Sequence, residues 1–352
     1  MLSKLITDIG KKIIKSEIKR LQLKRTCRSL NIISALKYKT YCTKTKNKDH
    51  NDLNNIVPDF FLWNKEYFSN NNFYGISDIF REYSLCNIIP KAAIEHGVYF
   101  GKEVMDYEAA KNPTNNIITF SQYRYEVLSE KTKQNIICLG PYIHYVKPFL
   151  NEDFHNEKKA LGKNLLVFPS HSVDLVTAEY DIEIFLNEIK KIAPNFNTVS
   201  VCIYWKDYLM KKHLPYQNAG FKIVSAGHRN DPRFLSRLKS IILLSDITIS
   251  NSLGTHLGYS IFLNKPHILK IQKQKYSEDK VGAYNNAITN RFVGKNENFY
   301  DIIKNEKDVF NTLFSEYTET ISKEQYELCN YYWGFDFIKK PEELKSILKS
   351  LV

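Results

Sequence analysis

Residues 245–271 read SDITISNSLGTHLGYSIFLNKPHILKI, and their pattern sets the fold. Asp246–Ser250 is a short β-branched run of the kind a buried strand uses, and Ser250 to Gly254 form a polar turn. Gly254–Leu263 carries apolar residues at helical spacing, and His267–Ile271 is a strand again. Strand, helix and strand in so few residues make a parallel crossover unit. The same alternation runs upstream. Leu165–Phe168 is a strand. Ile182–Ile192 is a helix with Ile182, Phe185, Leu186, Ile189 and Ile192 on one side. Val199–Tyr204 is a strand, Lys206–Lys212 a helix, Phe221–Ser225 a strand and Pro232–Leu244 a helix. Five strands with four crossovers within residues 160–272 predict a doubly wound α/β sheet.

Outside this block the pattern is weaker. Ala92–Ile94, Ile117–Phe120 and Ile136–Leu139 read as short buried strands, with a helix over Tyr123–Thr132. They predict a second α/β domain over residues 57–155, ahead of a nucleotide-binding domain over 156–305 and closing helices over 306–352. Residues 40–56 are polar and read as a linker. Residues 2–21 read as a helix with Leu2, Leu5, Ile6, Ile9 and Ile13 on one face and lysines mostly opposite. Such a face suits an anionic membrane surface, or a helix packed on the body.

The chain has 352 residues, enough for two domains, and no apolar run approaches the ~20 residues that span a bilayer. Its net charge is +12, but residues 1–50 hold eleven Lys and three Arg against three acidic residues. The body is therefore near neutral, which argues against a nucleic-acid partner, whose groove would be lined with basic residues of the fold itself. The six cysteines include no CxxC, so no zinc site is implied and a reducing compartment is expected. No secretory signal can be drawn. The expected location is the cytoplasm, peripheral on the inner membrane if the first helix docks there.

In an open parallel sheet, ligands bind beyond the carboxyl ends of the strands. The first strand is followed by Ser170, His171 and Ser172, which can hold a phosphate or sugar hydroxyl, or form a plain capped turn. The second leads to Tyr204 and Lys206, a ring for a base and a cation for phosphate, or aromatic packing at the sheet margin. The third leads to His228, Arg229, Asp231, Pro232 and Arg233. Asp231 and Pro232 suit a helix start, while His228, Arg229 and Arg233 suit a base edge or diphosphate. The fourth leads to Ser250, Asn251, Ser252, Gly254, Thr255 and His256, small polar residues before a helix whose free N–H groups suit phosphate. No Walker GKS/GKT and no GxGxxG is present. In the first domain, Glu95 or His96 is the candidate general base, although a lone His also serves structural roles. Tyr123, Arg124 and Tyr142 are candidate acceptor-side residues, with Glu103 and Asp106 further carboxylates nearby. No DxD with supporting context is present, so no metal is implied.

The segment Ser245–Ile268 resembles the late C-terminal segment of GT-B glycosyltransferases and related polyol-phosphate transferases. There an Asp opens a strand, small hydroxyl residues meet donor phosphate, and a helix leads to a Lys-Pro turn; the matching positions are Asp246, Ser250, Ser252, Thr255 and Lys265-Pro266. Glu95-His96-Gly97 is similar to the segment that places a catalytic His before Gly, and Trp333-Gly334-Phe335 resembles the closing helices of surface-polysaccharide enzymes. The chain departs from the retaining Glu-x7-Glu signature and from the His-Pro pair of bacterial sialyltransferases. The resemblance implies two Rossmann-like domains facing a cleft and a metal-independent enzyme with no cofactor beyond its substrate. That enzyme would transfer a sugar from a nucleotide-sugar donor to a glycan or lipid-linked acceptor. A CDP-polyol phosphotransferase, or a non-catalytic binding protein that kept the fold, would share the pattern.

Overall fold

The computed structural model describes residues 14–58, 66–102, 104–105, 112–150, 153–173, 176–278, 292–293 and 299–352. The predicted stripe Leu2–Ile13, Glu103 and Asp106 lie outside these residues. In chain order the strands are β1 (Ala93–Ile94), β2 (Val104–Met105), β3 (Asn116–Thr119), β4 (Asn135–Cys138), β5 (Asn164–Phe168) and β6 (Val176–Glu179). They continue with β7 (Thr198–Cys202), β8 (Lys222–Val224), β9 (Ile247–Ser250), β10 (His267–Leu269), β11 (Lys275–Glu278) and β12 (Phe292–Val293).

The larger sheet is parallel, in the order β8-β7-β5-β9-β10. The first strand of this sheet lies in the middle, and the chain winds outward to one edge, then to the other. Leu165, Val167, Val201, Ile247 and Ile249 pack with Phe185, Leu186 and Ile189 of the helix Ile182–Ile192. Their neighbours Leu166, Phe168 and Val224 belong to a second apolar cluster with the helices Phe234–Leu244 and Thr255–Phe262. Both faces are covered, which is why these strands are almost uniformly apolar. The chain reverses its winding between β5 and β9, and there the sheet leaves a crevice.

The smaller sheet, β1-β3-β4, is also parallel. Its crossover helix, Gln122–Lys131, starts at Ser121, whose Oγ accepts from Arg124 N. This gives the two Rossmann-like α/β halves that the pattern predicts. They are not separate cores, however. Ile94, Ile117 and Phe120 of the small half share one cluster with Leu166, Leu235 and Leu257 of the large half. The helices Phe299–Phe314, Lys323–Trp333 and Pro341–Ser350 add Phe310, Trp333 and Leu344 to it, and Lys91 N donates to Leu351 O at 2.7 Å.

Three expectations need correction. Residues 40–56 are not a linker. The helix Ile32–Lys44 delivers Tyr41 to Asp231, and a strap follows in which His50 O accepts from Ser225 N and Ile56 O from His228 N, both at 3.0 Å. The strap extends the β8 edge through its backbone, so its side chains can stay polar. Asp231 closes the turn before the helix, its Oδ1 accepting from Arg233 N at 2.9 Å, rather than standing as the N-cap itself. It is fully buried between Arg237, Arg233 and Tyr41, and the helix starts at Phe234. The boundary at residue 156 falls inside the helix Phe154–Leu161.

Candidate functional site

Several predicted donor contacts are spent inside the fold. Ser170 donates from N and Oγ to Asn251 Oδ1 at 2.6 and 2.8 Å. Asn251 Nδ2 donates to Gln272 Oε1 at 2.8 Å, and Gln274 Nε2 donates to Ser170 Oγ at 2.9 Å. This amide network fills the β5/β9 crevice from the loop after β10, which runs on into the antiparallel pair β11-β6. Ser172 donates from N and Oγ to Asp207, itself paired with Lys212. Ser250 donates to Ser252 O and meets His267 Nε2 at 2.9 Å, while Thr248 meets His267 Nδ1 at 2.7 Å. Arg233 donates to Cys42 O and Thr45 Oγ1, fastening the N-terminal helices. His228 and Lys206 are buried, the first against Trp205 at 4.5 Å. Ser170, Ser172, Ser250, Asn251, Arg233, Lys206 and His228 are therefore structural, because burial and internal hydrogen bonds consume what a ligand would need.

The acceptor-side expectations fail for the same reason. Glu95 is fully buried and accepts from Arg124 at 2.6 Å and from Thr119 Oγ1, so it is half of an internal ion pair rather than a base. Tyr142 is fully buried with its ring 4.0 Å from Phe120. The Tyr123 hydroxyl is held by Glu306.

The remaining predicted residues converge at the junction of the two sheets. Val98 N, two residues after His96, donates to Thr255 Oγ1 at 3.1 Å. The His96 ring stands edge-on to Phe73 at 4.9 Å, and the Arg229 guanidinium lies over the Phe73 ring itself at 4.2 Å. Tyr74 N donates to Arg229 O. Tyr204 packs at a tilt against exposed His171 at 4.3 Å, and burial pushes its phenol far up, so it stays neutral. Ser252, Gly254, Thr255 and His256 border the same place and keep partial exposure. The helix Thr255–Phe262 begins there with no side-chain cap on its first N–H groups, a partial positive charge. His256 stacks on Phe168 at 4.9 Å and takes the space beside Gly254, where a Cβ would lie 2.9 Å from its Cε1.

Phe73 and Tyr74 escaped the sequence reading. Tyr74 has φ +60°, a region that costs a bulky residue of order 1–3 kcal/mol and that clusters at functional sites. The local signal is Asn70-Asn71-Asn72 before Phe73-Tyr74-Gly75, a turn composition wrapped around two aromatics.

Among the described residues, one group has metal-ligand spacing: Asp49, His50 and Glu157. Glu157 already accepts from His50, Asn51 and Lys222, so an ammonium stands where a cation would compete.

Burial holds His256 neutral, pushed down to about 3 with His171 adding to the effect, and pushes His267 down too. Hydrogen bonding from His50 lowers Glu157 to about 2. The sign follows directly. Below pH 6.5 the unfolded imidazoles bind protons that the folded ones refuse, and below 4.5 the same holds for the carboxylate. The melting temperature should fall from pH 7 to pH 5, each imidazole contributing about 1 kcal/mol per pH unit. Thermal melts across that range check it, and His256→Gln should flatten the slope; a level wild-type profile would refute the assignment.

No protein-family model and no curated protein matches the chain. Among solved structures it is similar to the wall teichoic acid polymerase TagF, at 12% identity and TM-score 0.39, over 74% of this chain and 66% of that one. It is also similar to the pneumococcal O-GlcNAc transferase GtfA in complex with UDP and GlcNAc, at 13% identity and TM-score 0.36, over 78% of this chain and 54% of that one. The S. aureus MnaA–UDP structure aligns at 9% identity and TM-score 0.35, over 77% of each chain. The chain thus spans just under two thirds of TagF and about half of GtfA. With TM-scores below 0.5, these likenesses decide nothing for this chain; its fold is read from its own strand order.

Proposed function

We propose that the chain is a glycosyltransferase that moves a sugar from a nucleotide-sugar donor to a glycan or lipid-linked acceptor. The observation that carries the reading is the junction itself. The segment that carries His96 is tied to the uncapped helix N-terminus at Thr255 of the large sheet through the Val98–Thr255 hydrogen bond, and His96 is the candidate base there because Glu95 is held in an internal ion pair. In this reading the N–H groups around Gly254 and Thr255, with Arg229, take the diphosphate charge that develops on the leaving group, without a metal. Tyr204 and His171 offer ring faces to the base. His96 removes the proton of the acceptor hydroxyl as the new bond forms. A cytoplasmic site is part of the proposal; no described helix is long and apolar enough to cross a membrane.

A thermal-shift panel of UDP, GDP, CMP, CDP and their sugar conjugates on the full chain tests it. One nucleotide family should stabilise the protein, by about 2.7 kcal/mol at a hundredfold excess over its dissociation constant. Arg229→Ala should lose that shift, whereas His96→Ala should keep it and lose turnover. A shift confined to CDP-polyols would move the reading to a phosphotransferase. No shift with any member would turn it toward a non-catalytic binding protein.

A further inference from the structure

The helices Glu17–Ser29 and Ile32–Lys44 meet at the short turn Leu30-Asn31, and this tip turns apolar side chains to water. Leu30, Ile32, Ile33 and Leu36 are 70, 69, 71 and 58% exposed. Ile32 and Leu36 are one helical turn apart, with Ile33 beside them, so the three share a face that continues onto Leu30 at the turn. Four large aliphatic residues grouped on one knuckle differ from the scattered single exposures normal for a soluble surface. The charge around them has one sign. Lys15, Lys19, Lys24, Lys37 and Lys39 are exposed, and residues 15–39 contain one acidic residue, Glu17, which is paired with Arg20.

Both helices are also anchored to the body. Arg25 lies over the Tyr67 ring at 4.7 Å, and the Tyr41 hydroxyl donates within the buried Asp231 site at 2.7 Å. A fixed apolar tip flanked by Lys24, Lys37 and Lys39 matches one surface in both parts of its chemistry: a bilayer of anionic phospholipids. Aliphatic side chains enter the acyl boundary while the lysines meet the headgroups. Nucleic acid would use the lysines and leave the isoleucines in water. We propose that this apolar tip docks the protein on an anionic lipid surface. The inference rests on these two helices alone and stands or falls separately from the donor reading.

The full chain is sedimented with vesicles of phosphatidylcholine, alone or mixed with phosphatidylglycerol. Binding is expected to the mixed vesicles. It should drop at least about tenfold in Ile32→Glu/Ile33→Glu, and roughly fivefold for each of Lys24, Lys37 and Lys39 changed to Ser. These side chains are exposed, so melting temperatures should match wild type. Ile33→Trp gives a second readout that does not weaken the tip: its emission should shift to the blue on mixed vesicles. Undiminished binding by Ile32→Glu/Ile33→Glu, or an unmoved Ile33→Trp emission, overturns the proposal. So does light scattering that shows a wild-type dimer made monomeric by Ile32→Glu/Ile33→Glu, which would make the knuckle a contact between two copies.

Discussion

Glu95→Ala is expected to destabilise the protein by about 3–5 kcal/mol, whatever it does to turnover. Glu95 is 0% exposed and Arg124 3%, and they meet at 2.6 Å between β1 and the crossover helix of the small sheet. Removing the carboxylate strands a guanidinium in the core and takes the acceptor from Thr119 Oγ1. Typical domains hold only about 5–15 kcal/mol in total, so the loss would be visible as a large drop in the urea midpoint. Glu95→Leu with Arg124→Leu removes both charges and should regain most of the loss, because a buried pair is often no more stable than its apolar replacement. His96→Ala, one residue on, should leave the midpoint nearly unchanged, since that side chain is only half-buried at the junction. This contrast separates the base from its support: Glu95 N donates to Ile118 O at 3.0 Å, and the paired side chain beneath holds the turn from which His96 projects. A Glu95→Ala protein that unfolds like wild type would refute the structural assignment and return Glu95 as a candidate base.

The large sheet was legible because its strands are buried on both faces, and that demand writes itself as short β-branched runs. LLVF, VSVCIY and DITIS each lie within a few residues of β5, β7 and β9. The antiparallel pair β6-β11 was not legible, since its strands are half polar and lie about 100 residues apart in the chain. Position after a strand drew attention to Thr255, Arg229 and His171, which the fold places around the junction. It could not say which polar groups were already used. Ser170 and Asn251 look like ligand contacts until Gln272 and Gln274 arrive from a later loop. Ser250 looks the same until His267 arrives from β10. Hydrogen-bond capacity is a property of the folded neighbourhood, and these partners are far away in sequence. Residues 40–56 read as a linker because the strap joins the β8 edge through backbone groups, which every residue possesses, and its side-chain partners Arg233 and Glu157 lie far away in sequence.

Gly258 lies in the middle of the helix Thr255–Phe262, where propensity alone would favour alanine by about 1 kcal/mol. Here the sign should reverse. A Cβ at 258 would stand 2.1 Å from Trp333 Cδ2 and 2.3 Å from Cε2. The indole has no room to retreat. It is fully buried among Phe100, Phe310 and Tyr332, and its Nε1 donates to Thr255 O at 3.0 Å. Overpacking of this kind costs about 1–3 kcal/mol, occasionally more, and a rigid ring met face-on belongs at the upper end. Gly258→Ala should therefore lose about 2 kcal/mol or more net in chemical denaturation. Because the displaced indole is bonded to Thr255, the helix N-terminus should move with it. A nucleotide shift seen with wild type should then weaken even where the variant is fully folded. Pairing the change with Trp333→Ala supplies the control: the added methyl then enters a cavity, and its cost should vanish or become a gain. Equal costs in the two backgrounds would mean that the glycine and the indole are not coupled, and the junction would need another explanation for its rigidity.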